Sequence, residues 1–73
     1  TSGGVGDEAL ADTIRRELRQ DAATTGLRVE VFVEDGVAHL RGHVADMDDV
    51  TSVEEVGGRV PGVAEVVEEL ELD

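Results

Sequence analysis

The sequence predicts an α+β fold in which two helices cover one face of a three-stranded mixed sheet. Apolar residues recur at helical spacing before residue 23 and again after residue 46. Between these stretches the apolar residues alternate with polar ones, as they do in half-buried strands. Asp35 and Gly36 interrupt the alternation and suit the positive φ angles of a two-residue hairpin turn. The predicted order is therefore helix, strand, strand, helix, strand, in a two-layer αββαβ sandwich.

The first predicted helix runs from about Glu8 to Ala22, with Asp7 as its N-cap. Its core-facing stripe consists of apolar residues three or four apart, and its opposite side is basic. The stripe is Leu10, Ala11, Ile14, Leu18 and Ala22, and the basic side is Arg15, Arg16 and Arg19. We interpret residues 1–6 as a linker or a cloning remnant, and residues 7–73 as a single domain.

The two strands that follow form the predicted hairpin. A two-residue loop fixes their register, so residues whose numbers sum to 71 face each other. Val33 then pairs with Ala38 toward the core, and Phe32 pairs with His39 on the outer face. The core face is Val29, Val31, Val33, Ala38, Leu40 and Gly42; the outer face includes Glu30, Phe32, His39 and Arg41.

A second helix is predicted to begin after Asp46 as N-cap and to end before a turn at Pro61 and Gly62. Its buried stripe is Val50, Val53, Gly57 and Val60, with Val56 at the margin. A last strand then runs from Val63 to about Leu72. Its core side is Val66, Leu70 and Leu72, and its outer side is Val67, Glu69 and Glu71.

The charge balance excludes several kinds of partner. The chain has a formal charge of −12 at pH 7, from 18 acidic residues and six arginines. Such a surface repels phosphate backbones, so we expect no nucleic-acid binding, and it opposes attraction to anionic lipid. No cysteine is present, which excludes a disulfide framework. No apolar run approaches the roughly 20 residues of a membrane span, and we expect no signal peptide in this stretch.

No residue pattern points to catalysis, a metal or a cofactor. His39 and His43 lie four apart on one strand, which separates them by about 13 Å and is too far for a shared metal. The acidic stretch at Asp46 lacks the oxygen ligand, glycine and glutamate that an EF-hand loop needs at Val50, Thr51 and Gly57. We expect a chain that is not an enzyme and that holds no cofactor.

The spaced valines and glycines resemble those of the BON domain, a small bacterial module. The resemblance rests on Val29-x-Val31-x-Val33-Glu34-Asp35-Gly36-Val37-Ala38-x-Leu40-x-Gly42-x-Val44 and, after a helix, on Val60-Pro61-Gly62-Val63-x-x-Val66-x-x-x-Leu70-x-Leu72. It implies an interaction module that attaches a larger protein to envelope partners or responds to osmotic stress. It also implies a periplasmic or cell-envelope location, although a cytoplasmic one stays open.

We expect the partner to be a protein or another cell-envelope component that binds the outer face of the sheet. The candidate residues are Phe32, Val37, His39, Arg41 and Val67, and the turn and hairpin positions Asp35, Gly36, Gly42, Pro61 and Gly62 have structural roles. Lipid is a second partner, which the charge disfavours, and we expect a monomer or weak oligomer. An alternative is a regulatory domain that binds a small ligand between helices and sheet, in space left by Ala38, Gly42 and Gly57.

Overall fold

The computed structural model describes residues 5–73, which form two helices and one three-stranded sheet. The elements, in chain order, are α1 (Val5–Gln20), β1 (Arg28–Glu34), β2 (Val37–Val44), α2 (Met47–Gly58) and β3 (Glu65–Leu72). This order and the mixed sheet confirm the predicted fold class. Residues 1–4, part of the stretch interpreted as a linker, lie outside the described residues.

The central strand of the sheet is β2. It pairs with β1 in antiparallel fashion and with β3 in parallel. The hairpin register is the predicted one: Val33 faces Ala38 and Phe32 faces His39. Asp35 and Gly36 have φ angles of 53° and 80°, in the left-handed region that a type I′ turn requires. The turn type therefore sets which side chains enter the core.

Both helices pack on the same face of the sheet and bury one aliphatic core. Ile14 from α1, Leu40 from β2 and Val53 from α2 are completely buried at its centre. Seven further aliphatic side chains complete this buried cluster. Those are Ala11, Leu18, Val31, Val33, Ala38, Val56 and Val60. The apolar faces predicted for the helices and strands thus meet in one core between the helix layer and the sheet.

The start of α1 differs from the prediction. The helix begins at Val5 rather than Glu8, so Asp7 lies inside the first turn and is not the N-cap. Its carboxylate instead accepts hydrogen bonds from the backbone N–H groups of Asp35 (2.9 Å) and Gly36 (3.3 Å). The two turn amides lie 28 and 29 residues from Asp7 in the sequence, so no local sequence pattern predicts this contact.

The end of α1 also differs. The helix ends at Gln20, and Ala22 is exposed rather than part of the core stripe. The Asp21 carbonyl accepts hydrogen bonds from Thr24 and Thr25, which turns the chain away from the helix axis. Thr24 takes the buried position, and its hydroxyl donates to the Leu18 carbonyl at 2.6 Å. This bond satisfies a polar group that would be costly to bury alone.

The second half of the chain follows the prediction with smaller changes. Asp46 is the N-cap of α2, and its side chain accepts from the Asp49 N–H at 3.1 Å. Val56, predicted at the margin, is buried, while Val60 is buried just beyond the helix. Leu72, predicted on the core side, is 52% exposed because it lies at the very end of β3.

Candidate partner-binding face of the sheet

The face of the sheet away from the helices is uncovered within residues 5–73, and we call it the outer face. Alternation along the strands and the two registers place its side chains in rows that cross all three strands. One row consists of Phe32, His39 and Val67. Phe32 is 60% exposed although it is the chain's only aromatic residue. The predicted residues Val37 and Arg41 adjoin this row on β2.

His39 joins the two apolar ends of the row. Its ring centroid lies 5.9 Å from that of Phe32 with the planes tilted by 48°, and on its other side it faces Val67 in the β2–β3 register. Edge-tilted ring pairs of this kind are favourable. His39, Val37 and Val67 are all half-buried among their neighbours. The hairpin and the crossover together therefore bring all five sequence-predicted residues onto one continuous surface.

Glu69 is a member of this surface that the sequence reasoning did not single out. It accepts a 2.6 Å hydrogen bond from Arg41 Nε, and its other oxygen lies 3.7 Å from His39 Nδ1. The Arg41 hydrogen bond lowers the pKa of Glu69 and raises that of Arg41. The contact depends on the parallel register of β3 against β2, and no turn motif specifies that register. The sequence indicates only that the carboxylates of the last strand face outward.

Four carboxylates stand at the corners of the apolar row. Glu30 and Glu34 flank Phe32 along β1, and Glu65 and Glu69 flank Val67 along β3. Alternate residues of a strand are about 6.6 Å apart, so each corner is close to the apolar side chain that it flanks. An open depression on the β1 side connects this row to the sheet edge. Besides Phe32 and His39 it is lined by three of these carboxylates, Glu30, Glu34 and Glu69, and by Arg15 and Arg41.

The turn residues support this surface without belonging to it. Gly62 has a φ of 101°, and a Cβ there would come within 2.9 Å of Leu10 in α1. The turn at Pro61 and Gly62 thus packs against the helix layer. Gly36 accepts a 2.8 Å backbone hydrogen bond from Ala64, which aligns the start of β3 with the hairpin turn.

Space for a ligand between helices and sheet is absent at the positions that suggested it. Ala38 is fully buried, and a Cβ at Gly57 would lie 3.2 Å from Leu40 Cδ1. Gly42 faces the Arg28 backbone, which a Cβ would overlap. These small residues serve close packing. The alternative interpretation therefore loses the cavity on which it depended.

His43 lies two rows from the Phe32–His39–Val67 row on the outer face, between Arg28 and Glu71. Its Nδ1 lies 3.1 Å from an Asp73 carboxylate oxygen and its Nε2 lies 3.8 Å from Glu71. Within the described part of the chain, no three His, Asp or Glu side chains are grouped so that they could hold a metal ion. Neither helix of residues 5–73 combines the length and apolar content needed to cross a bilayer.

Residues 5–73 thus form a two-layer αββαβ module with an uncovered, partly apolar sheet face. The sequence profile of the BON domain matches residues 6–73, nearly the whole chain. The chain therefore belongs to the BON domain family, whose members are usually binding or membrane-associated modules and are generally non-catalytic. A comparison with curated proteins found no match.

Proposed function

We propose that this chain is a non-catalytic module that binds a protein partner of the cell envelope through the outer face of its sheet. The observation that carries the proposal is the exposed Phe32 in a row with His39 and Val67. Aromatic side chains dominate the binding energy of many interfaces because they bury a large area at little entropic cost. Here the aromatic ring is on a face that no other element of residues 5–73 covers.

The charge distribution favours a protein over a lipid surface. The chain carries −12 formal charges, and Arg15, Arg16 and Arg19 on α1 are its only basic strip. Arg15 is already engaged, since it donates to Asp12 at 2.7 Å and to the Val31 carbonyl at 2.9 Å. Two remaining arginines supply only about 2 kcal/mol toward an anionic membrane, against the repulsion of the other charges. An attachment or osmotic-response role at the envelope is part of the same proposal and rests on the family alone.

Photo-crosslinking from single positions tests the binding surface. A benzoylphenylalanine residue in place of Phe32 keeps an aromatic ring there, and the same residue in place of Arg16 on α1 is the matched control. In cells of the source organism we expect a discrete protein adduct from position 32 and none from position 16. Val67→Asp in the same row should remove that adduct.

Adducts from position 16 alone would contradict the proposal. So would co-sedimentation of the chain with anionic vesicles accompanied by amide shifts confined to α1, because both would assign binding to the helix layer. The envelope location is tested separately by fractionating cells that express the full-length protein. Recovery only from the cytosolic fraction would overturn the envelope part and leave the binding surface standing.

A further inference from the structure

We infer that the partner presents a cationic residue, in particular an arginine, next to an apolar side chain, and that both bind around Phe32. This inference rests on the proposed function and specifies the chemistry of its partner. Its basis is the combination of one exposed aromatic ring with the four corner carboxylates Glu30, Glu34, Glu65 and Glu69.

The corner carboxylates are only partly neutralised by the chain itself. Arg41 pairs with Glu69 at 2.6 Å. Among residues 5–73, Glu30, Glu34 and Glu65 form no ion pair within 4 Å. Two of these three, Glu30 and Glu34, are the neighbours of Phe32 on the outer side of β1. Arg41 faces Glu30 across the hairpin and offsets part of its charge, so the surface around the aromatic ring keeps a net negative charge centred on Glu34 and Glu30.

This arrangement discriminates among possible partner surfaces. A neutral apolar surface would partly desolvate Glu30 and Glu34 without pairing them, which is costly. An acidic surface would be repelled by the same two carboxylates. An arginine can lie flat on the ring of Phe32 and at the same time donate to one of the flanking carboxylates. Its planar guanidinium suits both contacts better than the ammonium of lysine.

The outer face is also small, and its size limits the partner segment that it can bind. Three strands span about 10 Å across the sheet, and the distance from Val37 to Arg41 along β2 is about 13 Å. Such a patch matches a short extended segment rather than a whole domain surface. Binding of a minimal peptide should therefore be weak and fast in exchange, and should weaken as salt screens the charge pairs.

Matched peptides test the inference. The probe is Ac-GVRLRVG-amide, titrated into the ¹⁵N-labelled chain at low salt. We expect amide shifts at Phe32, His39 and Val67. Citrulline in place of both arginines keeps the shape but removes the charge, and should weaken binding at least tenfold. Ac-GSRSRSG-amide keeps the charge but removes the apolar residues, and should weaken it at least fivefold.

Protein variants separate specific binding from general attraction to an acidic chain. Glu30→Gln and Glu34→Gln should each weaken the arginine peptide about threefold, and Phe32→Ala more than either. Glu54→Gln on the exposed side of α2 removes the same charge elsewhere and should leave the affinity unchanged. Equal effects of Glu34→Gln and Glu54→Gln would overturn the inference, because attraction would then be non-specific.

Equal binding of the arginine and citrulline peptides at Phe32 would also overturn the inference while leaving the proposed binding surface intact. No shift at Phe32 with any peptide, together with a crosslinked protein adduct from position 32, would reject the cationic segment but keep the protein partner. Absence of both the shifts and the adduct would reject the binding surface itself.

Discussion

At the scale of single residues, Asp7 ties the first helix to the hairpin turn. Its carboxylate accepts from the backbone N–H groups of both turn residues, Asp35 and Gly36. These amides lie at the end of the sheet, and Asp7 supplies the acceptor that links α1 to the turn. The side chain thus holds the helix layer and the sheet layer together at the end where the outer face carries Val37.

Replacing Asp7 by alanine should destabilise the chain by about 1 kcal/mol, the net value of a typical intramolecular hydrogen bond. The amides of Asp35 and Gly36 should exchange faster with solvent, as measured by hydrogen exchange NMR. Glu8→Gln is the control, because Glu8 also lies in the first turn of α1. Unchanged exchange at both turn amides would contradict the role that we assign to Asp7.

Gly42 is a second residue whose identity is set by a close contact. Its φ is 157°, and an added Cβ would overlap the carbonyl oxygen of Arg28 on the neighbouring strand. Gly42 faces Val29 across the hairpin, and with this φ an added Cβ would point into the β1 backbone. A side chain would push β1 and β2 apart near the open end of the hairpin, where Val29 is the second residue of β1.

Gly42→Ala should therefore cost about 1–3 kcal/mol, in the range of other strained backbone positions. Urea denaturation followed by circular dichroism measures this free energy of unfolding. Gly26→Ala is the matched control, because a Cβ there meets nothing within 4 Å. If the two substitutions had equal effects, the close approach at Gly42 would not be the cause.

At the scale of elements, an ion pair joins the C-terminal ends of the two helices. Arg59 follows α2 and donates to the Asp21 carboxylate at 2.8 Å; Glu17 of α1 lies 3.8 Å from the same nitrogen. The hydrogen bond from Arg59 and a second from the Ala23 N–H lower the pKa of Asp21 below its ordinary value of 3.8. This pair is partly exposed, so its effect on stability is modest.

The lowered pKa of Asp21 gives a stability contribution with a defined pH dependence. A carboxyl whose pKa is lower in the folded state stabilises the fold above its unfolded pKa and loses this effect as pH falls through the folded pKa. The difference in free energy of unfolding between wild type and Asp21→Asn should be constant near neutral pH and should shrink below pH 3.8. Urea titrations from pH 7 to pH 2 measure it.

Glu54→Gln controls for the removal of one negative charge from an acidic chain. Its difference from the wild type should not follow the course seen with Asp21→Asn. A wild-type advantage over Asp21→Asn that grew on acidification would have the wrong sign for a depressed carboxyl and would reject the role of the Arg59 pair.

At the scale of the whole molecule, unevenly distributed negative charge opposes folding. Residues 46–73 contain ten carboxylates and a single arginine, Arg59. Because these residues form α2 and β3, which pack against each other, folding brings their charges together. Self-repulsion of this kind destabilises a compact state, and dissolved salt screens it.

The melting temperature should therefore rise with NaCl between about 0.02 and 0.5 M. A gain of about 1 kcal/mol corresponds to roughly 4–8 °C for a domain of this size. A Glu54→Gln, Glu65→Gln, Glu71→Gln triple variant should melt higher at low salt and respond less to NaCl. A melting temperature that fell with NaCl would mean that attractive ion pairs outweigh the repulsion.

Local patterns in the sequence were enough to predict the hairpin and the capped second helix. Alternating valines define two strands, the Asp35-Gly36 turn fixes their register, and Asp46 is followed by an apolar stripe. Each of these depends on residues close together in the chain, where short-range geometry decides the outcome. The five candidate residues of the outer face follow from the same alternation, and their binding role stays a proposal.

Tertiary structure alone decided the contacts between distant segments. Asp7 reaches the hairpin turn across 28 residues, and Glu69 reaches Arg41 across the same separation. Thr24 displaces Ala22 from the core because the chain turns after Gln20 to enter β1. The sequence determined which side chains share a face, because the strand repeat is local. Glu30 and Glu34 flank Phe32 through this same local repeat, whereas the positions of Glu65 and Glu69 depended on the register of β3 against β2, which joins residues far apart in the sequence.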